Sequence, residues 1–225
     1  MSRELQLRDE IVRYGRLLHL RGFSAARDGN LSCRLNATSM LITPSGLSKG
    51  MMEPDDIVIA DMQGRKISGP HCVSSEVQMH VLIYAMRPDV GGICHAHPPT
   101  ATGFAVAGVP MDEPVLAEAA VVLGSVPVAP YATPGTRELA ASLEPFVMDH
   151  DAILMANHGV VCSGSDLLQA YLNMELVEQS ARTLLVVRQL GGAHTLTQEQ
   201  IQRLREIRER MRTPNHAVTA DSSGY

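Results

Sequence analysis

Two histidines separated by a single residue lie where an apolar stretch ends. The segment Cys94-His95-Ala96-His97-Pro98-Pro99 follows the apolar residues from Val90 to Ile93. Alternate side chains of a strand share one face, so His95 and His97 would lie close enough to bind one ion, while Cys94 would point away. The two prolines lack amide hydrogens and would end the strand at a cleft. The pattern predicts half of a metal site, although two imidazoles alone fit a metal-free surface or core equally well.

A third histidine has the same setting. The residues from Ala152 to Ala156 predict a buried strand, and Asn157-His158-Gly159 follows directly. Three histidine ligands leave one coordination position for water or substrate, which is typical of catalytic rather than structural zinc sites. We therefore predict that His158 is the third ligand, beside His95 and His97.

Two loops have compositions that would let the backbone approach a ligand. Residues 27–32 form a turn-rich segment that contains Gly29 and Asn30, and residues 44–50 combine hydroxyl groups, glycine and one lysine around Ser45 and Gly46. Backbone amides and hydroxyls in a loop such as the second can surround an anion. The second loop lacks the complete P-loop pattern and predicts no nucleotide site. In the first, small residues allow a sharp bend, and taken alone this pattern is more typical of a plain turn than of a ligand contact.

A helix start is predicted at Ser74-Ser75-Glu76. Ser75 and Gln78 have the spacing of a capping box, and the free amides of such a helix end attract anions. Glu76 would lie in the first turn, where the helix dipole favours a carboxylate. His80 is expected to pack or cap rather than to bind a metal.

Composition limits the class of protein. The chain has 225 residues, a mass of 24.3 kDa, 45% hydrophobic residues and a mean hydropathy of +0.01, as expected for one compact domain. We predict a single domain over residues 1–213 and a flexible tail over 214–225. The net charge of −5 gives no support for a nucleic-acid surface. The first ten residues are charged and no apolar run reaches membrane-spanning length, so we expect a cytoplasmic protein without membrane association.

The remaining pattern predicts the elements that must position these residues. The four cysteines, Cys33, Cys72, Cys94 and Cys162, form no Cys-x-x-Cys pair and are interpreted as buried, reduced thiols. Helices are predicted over 4–20, 100–107, 137–143 and 166–190, with a final helix capped by Thr197 and Gln200. Strands are predicted over 39–43, 57–61 and 152–156, with a proline-limited edge strand over 126–129.

Taken together, the motifs resemble the class II aldolase/adducin family. They are Gly29-Asn30, Thr43-Pro44-Ser45-Gly46, Ser74-Ser75-Glu76, His95-Ala96-His97-Pro98 and Asn157-His158-Gly159. Each motif is weak alone, but five in the family's order, across about residues 5–190, are specific. The resemblance implies a three-layer α/β/α fold around a mixed, mostly antiparallel sheet. It also implies a homotetramer with active sites between neighbouring subunits.

The same resemblance implies roles for individual residues. His95, His97 and His158 would bind a divalent ion, usually Zn²⁺, with Mn²⁺ or Co²⁺ as alternatives. Glu76 would be the acid/base and would also bind the ion when substrate is absent. The phosphate of a sugar substrate would contact Gly29, Asn30, Ser45, Gly46, Ser74 and Ser75.

The implied reaction is the cleavage of a short ketose 1-phosphate, similar to fuculose or 5-deoxyribulose phosphate, into dihydroxyacetone phosphate and an aldehyde. The ion would stabilise the charge of the enediolate that this cleavage produces. A decarboxylase or a sugar-phosphate epimerase of the same family is the alternative. A non-catalytic, adducin-like module is disfavoured, because such members lack the metal histidines.

The sequence also departs from the family's sugar-phosphate aldolases. Those enzymes place a catalytic tyrosine after the His-x-His strand, and the corresponding position lies near Glu118, with no tyrosine between Tyr84 and Tyr131. A second tyrosine near the C-terminus has only Tyr225 as a counterpart. Val73 and Ser45 also stand where proline and threonine are frequent. These departures leave the substrate and the reaction open more than the metal site.

Overall fold

The chain folds around one sheet that has helices on both faces. A computed structural model describes residues 2–113 and 115–212. The helices are α1 (Arg3–Leu20), α2 (Val77–Met86), α3 (Pro99–Ala107), α4 (Ala117–Val122), α5 (Arg137–Val147), α6 (Leu167–Gln189) and α7 (Gln198–Arg212). Over the described ranges, each helix is too short or too polar to cross a membrane. The tail predicted for 214–225, with Tyr225, lies outside the described residues.

The sheet has eight strands among the described residues: β1 (Asn30–Arg34), β2 (Ser39–Ile42), β3 (Val58–Asp61), β4 (Lys66–Ser68), β5 (Gly92–Ala96), β6 (Val128–Ala129), β7 (Ala152–Met155) and β8 (Gly159–Gly164). Their spatial order is β4-β3-β2-β1-β5-β8-β7-β6. Neighbouring strands are antiparallel except for the β6–β7 pair, which is parallel. The expected mixed, mostly antiparallel sheet is confirmed.

The alternation of side chains along the strands divides the core into two layers. Cys94 and Ala96 of β5 pack in the cluster that includes the buried faces of α1, α3 and α6. Ile93 packs in the opposite cluster, against α2 and α5. Because both faces of the sheet are covered, the central strands β1, β5 and β8 are buried almost throughout. The expected three-layer α/β/α architecture is therefore confirmed.

Most predicted elements are present, but their ends differ. Asp166, where the helix over 166–190 was predicted to begin, is the N-cap of α6, and β6 lies at the edge of the sheet as expected. The helix predicted over 137–143 continues to Val147 and contains Pro145. Cys33, Cys94 and Cys162 are buried free thiols, whereas Cys72 is exposed, so the prediction of a buried thiol is wrong for Cys72.

The capping box predicted at Ser75 and Gln78 is also wrong. Helix α2 begins at Val77, and Glu76 is its N-cap residue without a capping hydrogen bond from its side chain. The Gln78 side chain instead donates to the carbonyl of Gln63. The Ser74 hydroxyl accepts from the amide of Glu76 at 3.3 Å. The carboxylate of Glu76 is therefore free to turn into the interior.

The start of α3 is held by a buried carboxylate from α6. Glu178 is only 1% exposed, and its carboxylate accepts from the amides of Thr100 and Ala101 at 2.9 to 3.3 Å. It also accepts from Arg182, whose side chain is half exposed. The carboxylate thus satisfies amides that no helical carbonyl reaches, directly after the His97-Pro98 segment.

Glu178→Ala should lower the free energy of unfolding by about 2 to 3 kcal/mol, because two buried amides lose their acceptor. Arg182→Ala is the matched control and should cost less, about 1 kcal/mol, because Arg182 is half exposed and the carboxylate keeps both amide donors. Chemical denaturation measures both values. Equal losses in the two variants would contradict this role of Glu178.

Candidate metal centre

Three central strands bring the predicted ligands together. In the register of β5, His95 lies opposite Asn30 of β1 and Val161 of β8. His97 follows the end of β5, and His158 precedes the start of β8. Because β5 and β8 are antiparallel, the end of one adjoins the start of the other. The two histidines therefore meet, although 60 residues of chain separate them.

The side chains converge on one point. One nitrogen from each of His95, His97 and His158 lies within 4.8 Å of the others. The Nε2 atoms of His95 and His97 are 3.2 Å apart. Glu76 reaches in from the start of α2, with Oε2 at 3.2 Å from His95 Nε2 and Oε1 at 3.2 Å from His158 Nε2.

The donor set fits a divalent cation. His95 Nδ1 lies 2.8 Å from the carbonyl of Val160, which can only accept, so Nδ1 carries a hydrogen and Nε2 is the nitrogen that faces the Glu76 carboxylate. Glu76 Oε1 and His158 Nδ1 are buried without a hydrogen-bond partner among the described residues. When the rings are neutral, their lone pairs and the carboxylate face one another, and a divalent cation at that point would remove the repulsion. Imidazole nitrogens and a carboxylate oxygen are common ligands of Zn²⁺.

Glu76 and the histidines shift one another's pKa values. Burial would lower the pKa of His95, but Glu76 and the carbonyl of Val160 outweigh it and raise that pKa. Burial alone would raise the pKa of Glu76, but His95 and His158 outweigh it and hold that pKa well below its usual range. Burial, together with His95 and His158, lowers the pKa of His97 to about 3. An ionised carboxylate and a neutral imidazole are the forms that bind metal ions.

Two glycines allow the backbone to approach the histidines. A Cβ atom on Gly159 would lie 2.4 Å from Cδ2 of His97 and 2.7 Å from the carbonyl oxygen of Ala96. Gly29 has a φ of +76°, and a Cβ atom there would lie 2.6 Å from the carbonyl oxygen of His95. A larger residue at either position would displace the strand that carries the ligands.

A cleft opens directly over the cluster. Every predicted site residue except His95 lines it, and His95 lies fully buried beside Glu76 and His97. The lining residues that were predicted are Gly29, Asn30, Ser45, Gly46, Ser74, Ser75, Glu76, His97 and His158. The loops around residues 29 and 45 and the start of α2 thus share one cleft with the histidines.

Lys49 also lines this cleft and was not predicted as a site residue. It is 1% exposed, and its ammonium group donates to the carbonyls of Arg27 and Leu47 at 3.1 and 2.7 Å. Burial lowers its pKa to about 8, against the opposing effect of Asp28 and Glu76. It therefore ties the two cleft loops together. Its only signal in the sequence was a single lysine inside a hydroxyl-rich loop.

Glu118, the residue near the expected tyrosine position, is placed elsewhere. It lies in the first turn of α4 and is exposed. Helix α4 packs against α6 and α7, and the cleft over the histidines is lined from other segments. Within one chain, Glu118 therefore makes no part of the cleft.

Comparison with known proteins agrees with the geometry. A family model described as the class II aldolase and adducin N-terminal domain matches residues 9–185. The chain belongs to the class II aldolase/adducin family. Class II aldolases are metal-dependent lyases that act on carbon–carbon bonds, so the chain is a lyase of this type with a histidine cluster suited to a metal ion.

Individual members of the family differ in their named reactions. The 5-deoxy-D-ribulose 1-phosphate aldolase of Bacillus thuringiensis serovar kurstaki is 31% identical over 199 residues, covering 88% of this chain and 92% of that protein. The 3-oxo-tetronate 4-phosphate decarboxylase of Haemophilus influenzae is 33% identical over 184 residues, covering 80% and 87%. A solved L-fuculose 1-phosphate aldolase superposes with a TM-score of 0.85 at 31% identity, covering 95% and 98%.

The ligand set makes a prediction about metal content. After loading with Zn²⁺ and desalting, the protein should retain about one equivalent per chain, and His97→Ala should lose most of it. His71→Ala is the control, because His71 pairs with Asp56 outside the cluster. Elemental analysis gives the content. Full retention of zinc by His97→Ala would exclude His97 as a ligand.

The close approach at Gly159 makes a second, steric prediction. Gly159→Ala should weaken metal binding by about tenfold or more, because the new methyl group displaces the His97 ring. Gly103→Ala, in α3 with no atom within 4 Å of the added carbon, should bind metal normally. Competition with a chromophoric chelator measures both affinities, and equal values would show that the ring moves without cost.

Proposed function

We propose that this protein is a divalent-metal-dependent aldolase that cleaves a short ketose 1-phosphate to dihydroxyacetone phosphate and an aldehyde. The observation that carries the proposal is the shared cleft, where the histidine cluster and Glu76 adjoin two polar loops and a helix start. The relatives named as aldolases of 5-deoxyribulose and fuculose phosphates support this substrate class.

In this proposal, His95, His97 and His158 hold the ion, with Zn²⁺ as the first choice and Mn²⁺ or Co²⁺ as alternatives. Such an ion acts as a Lewis acid on the negative charge that develops when the carbon–carbon bond breaks. Glu76 moves the proton. Its Oε2 accepts from Asn30 Nδ2 at 2.7 Å, whereas Oε1 has no hydrogen bond among the described residues and can take up or release the proton.

The polar loops would hold the phosphate. The amide of Ser45 donates to the carbonyl of Cys72 at 3.0 Å, so Ser45 would contact the phosphate through its hydroxyl group. Further donors line the same cleft at Gly46, Ser74 and Ser75. Gly29 lets its loop approach the backbone of His95 closely. Asn30 has a second amide hydrogen beyond the one that Glu76 accepts. Lys49 adds a buried positive charge at the floor of the cleft.

The larger organisation is also a proposal. We infer a single domain over residues 1–213, a cytoplasmic location and a homotetramer in which a neighbouring subunit completes each site. An exposed Glu118 on α4, outside its own chain's cleft, is available for such a neighbour. Its carboxylate would then stand where aldolases of this family use a phenol.

A decarboxylase is the second candidate, and two observations favour it. Several relatives near 30% identity are named 3-oxo-tetronate 4-phosphate decarboxylases. A carboxylate in place of a phenol at position 118 also changes the group that can protonate a leaving oxygen. A sugar-phosphate epimerase would use the same metal and cleft.

One assay separates these reactions. Metal-loaded protein is incubated with ketose 1-phosphates and, in parallel, with 3-oxo-tetronate 4-phosphates, while dihydroxyacetone phosphate and CO₂ are measured. We expect dihydroxyacetone phosphate from the first panel, and none after chelation of the metal. Release of CO₂ from the second panel alone would establish the decarboxylase instead.

Glu76→Gln should retain its metal and lower turnover by at least about 100-fold, because the amide cannot exchange the proton. The three histidine ligands remain, so metal content should stay near that of the wild type. Steady-state kinetics and elemental analysis on the same sample test both parts. Normal turnover in this variant would remove Glu76 from the mechanism.

A further inference from the structure

A ladder of buried polar side chains joins β1 to α2 and ends on Glu76. The strand contributes Asn30 and Ser32, and the helix contributes His80 and Tyr84. Each of these four residues is at most 4% exposed. Buried polar groups are costly unless they are paired, so a continuous set beside a candidate acid/base residue requires an explanation.

The spacing of the two elements makes the ladder. Every second residue of a strand shares one face and advances about 6.6 Å, and every fourth residue of a helix advances about 6 Å. The spacing of Asn30 and Ser32 along β1 therefore nearly matches the spacing of Glu76, His80 and Tyr84 along the helical segment. Each side chain of the ladder is joined to the next by a hydrogen bond of 2.5 to 2.9 Å.

The direction of every hydrogen bond follows from the carboxylate. Ionised Glu76 only accepts, so the Asn30 atom next to it is the amide nitrogen, and Asn30 Oδ1 faces His80 Nε2. An amide oxygen also only accepts, so His80 Nε2 carries a hydrogen. Burial lowers the pKa of His80 to about 3, with His95 adding to the effect against Glu76, so the ring is neutral.

The donors and acceptors of the remaining two hydrogen bonds in the ladder follow from this tautomer. A neutral His80 with hydrogen on Nε2 has a bare Nδ1, which accepts from the hydroxyl of Ser32 at 2.7 Å. The Ser32 oxygen in turn accepts from the hydroxyl of Tyr84 at 2.9 Å. All four donors point toward Glu76. The alternative orientation of Asn30 would place two oxygen atoms against each other.

The ladder does not conduct protons from solvent. Its far end is Tyr84, which is 2% exposed, and whose pKa burial raises far above its usual value. The guanidinium group of Arg34 covers the Tyr84 ring at 4.6 Å and donates to the Tyr84 carbonyl. A chain of donors with a closed end can hold an orientation but cannot supply or remove a proton.

We propose that His80 is a positioning residue that, with hydrogen on Nε2, holds the Asn30 amide toward Glu76 Oε2 and so leaves Glu76 Oε1, beside His158, as the carboxylate oxygen available for proton transfer. The argument rests on the proposed acid/base role of Glu76. His80 touches neither the ion nor the substrate. It acts by selecting one of the two orientations of Asn30, and Asn30 in turn selects which carboxylate oxygen is available.

Two substitutions at His80 separate positioning from packing. The amide nitrogen of glutamine can take the place of Nε2, whereas the shorter asparagine reaches only the place of Nδ1. His80→Asn should therefore lower kcat by about 10- to 100-fold, with KM and zinc content within about threefold of wild type. His80→Gln should recover most of the lost kcat. His150→Gln, remote from the ladder, is the control for a histidine-to-amide change.

The outcomes are decisive in both directions. Equal kcat values for the Gln and Asn variants, or a loss of zinc that parallels the loss of kcat, would overturn the positioning role. A measurement on the wild-type protein does not depend on the folding of any variant at His80. Nitrogen NMR of ¹⁵N-histidine-labelled protein, with His80 assigned through its own side-chain carbons, should show hydrogen on Nε2 and a bare Nδ1. Hydrogen on Nδ1 would overturn the proposal.

The NMR result also separates this inference from the proposed reaction. If no substrate panel gives turnover but His80 carries its hydrogen on Nε2, the proposed function is wrong and the hydrogen-bond directions of the ladder are confirmed. If dihydroxyacetone phosphate is released but His80 carries its hydrogen on Nδ1, the positioning role of His80 is wrong and the aldolase activity is confirmed.

Discussion

The antiparallel pairing of β5 with β8 is the constraint on which the rest of the site depends. Its register places Ala96 opposite Val160, so the residues beyond these two strand ends, His97 and His158, adjoin each other. No side chain could occupy position 159 without meeting the His97 ring. The strand register brings position 159 next to the His97 ring, and this register is therefore possible only with glycine at position 159. The cleft opens at this point because Pro98 and Pro99 end the strand and begin α3.

A second constraint comes from burying so many polar groups in one place. Most of them find partners in the ladder between β1 and α2, in the Val160 carbonyl or in the amide of Glu76. Glu76 Oε1 and His158 Nδ1 do not, among the described residues. An unsatisfied buried group costs about 1 to 3 kcal/mol, and a cation at the cluster would offset that cost for the carboxylate oxygen. The cluster is therefore arranged for chemistry at the expense of stability, as is common at functional sites.

Two identical helix-start patterns show how far sequence reasoning extends. Thr197 and Gln200 form the capping box that their spacing predicts, with reciprocal bonds of 2.8 and 3.3 Å. Ser75 and Gln78 have the same spacing but do not form it. At α7 the pattern is exposed and only local interactions compete. At α2 the neighbouring carboxylate of Glu76 is turned inward toward His95, His158 and Asn30, and tertiary contacts outweigh the local preference.

The sequence by itself determined the elements, the sheet class through the resemblance, and the three histidines, because periodicity, glycine and proline act locally. The same resemblance also assigned the loops around Gly29 and Ser45 to one substrate site with the start of α2. The resemblance grouped Glu76 with the histidines, and the tertiary structure showed that its carboxylate lies between His95 and His158. Only the tertiary structure decided that Lys49 is buried at the cleft and that His80 contacts Asn30. These facts depend on strand register and on the matching advance of β1 and α2. Such matching arises between segments about 50 residues apart and leaves no periodic mark in either one.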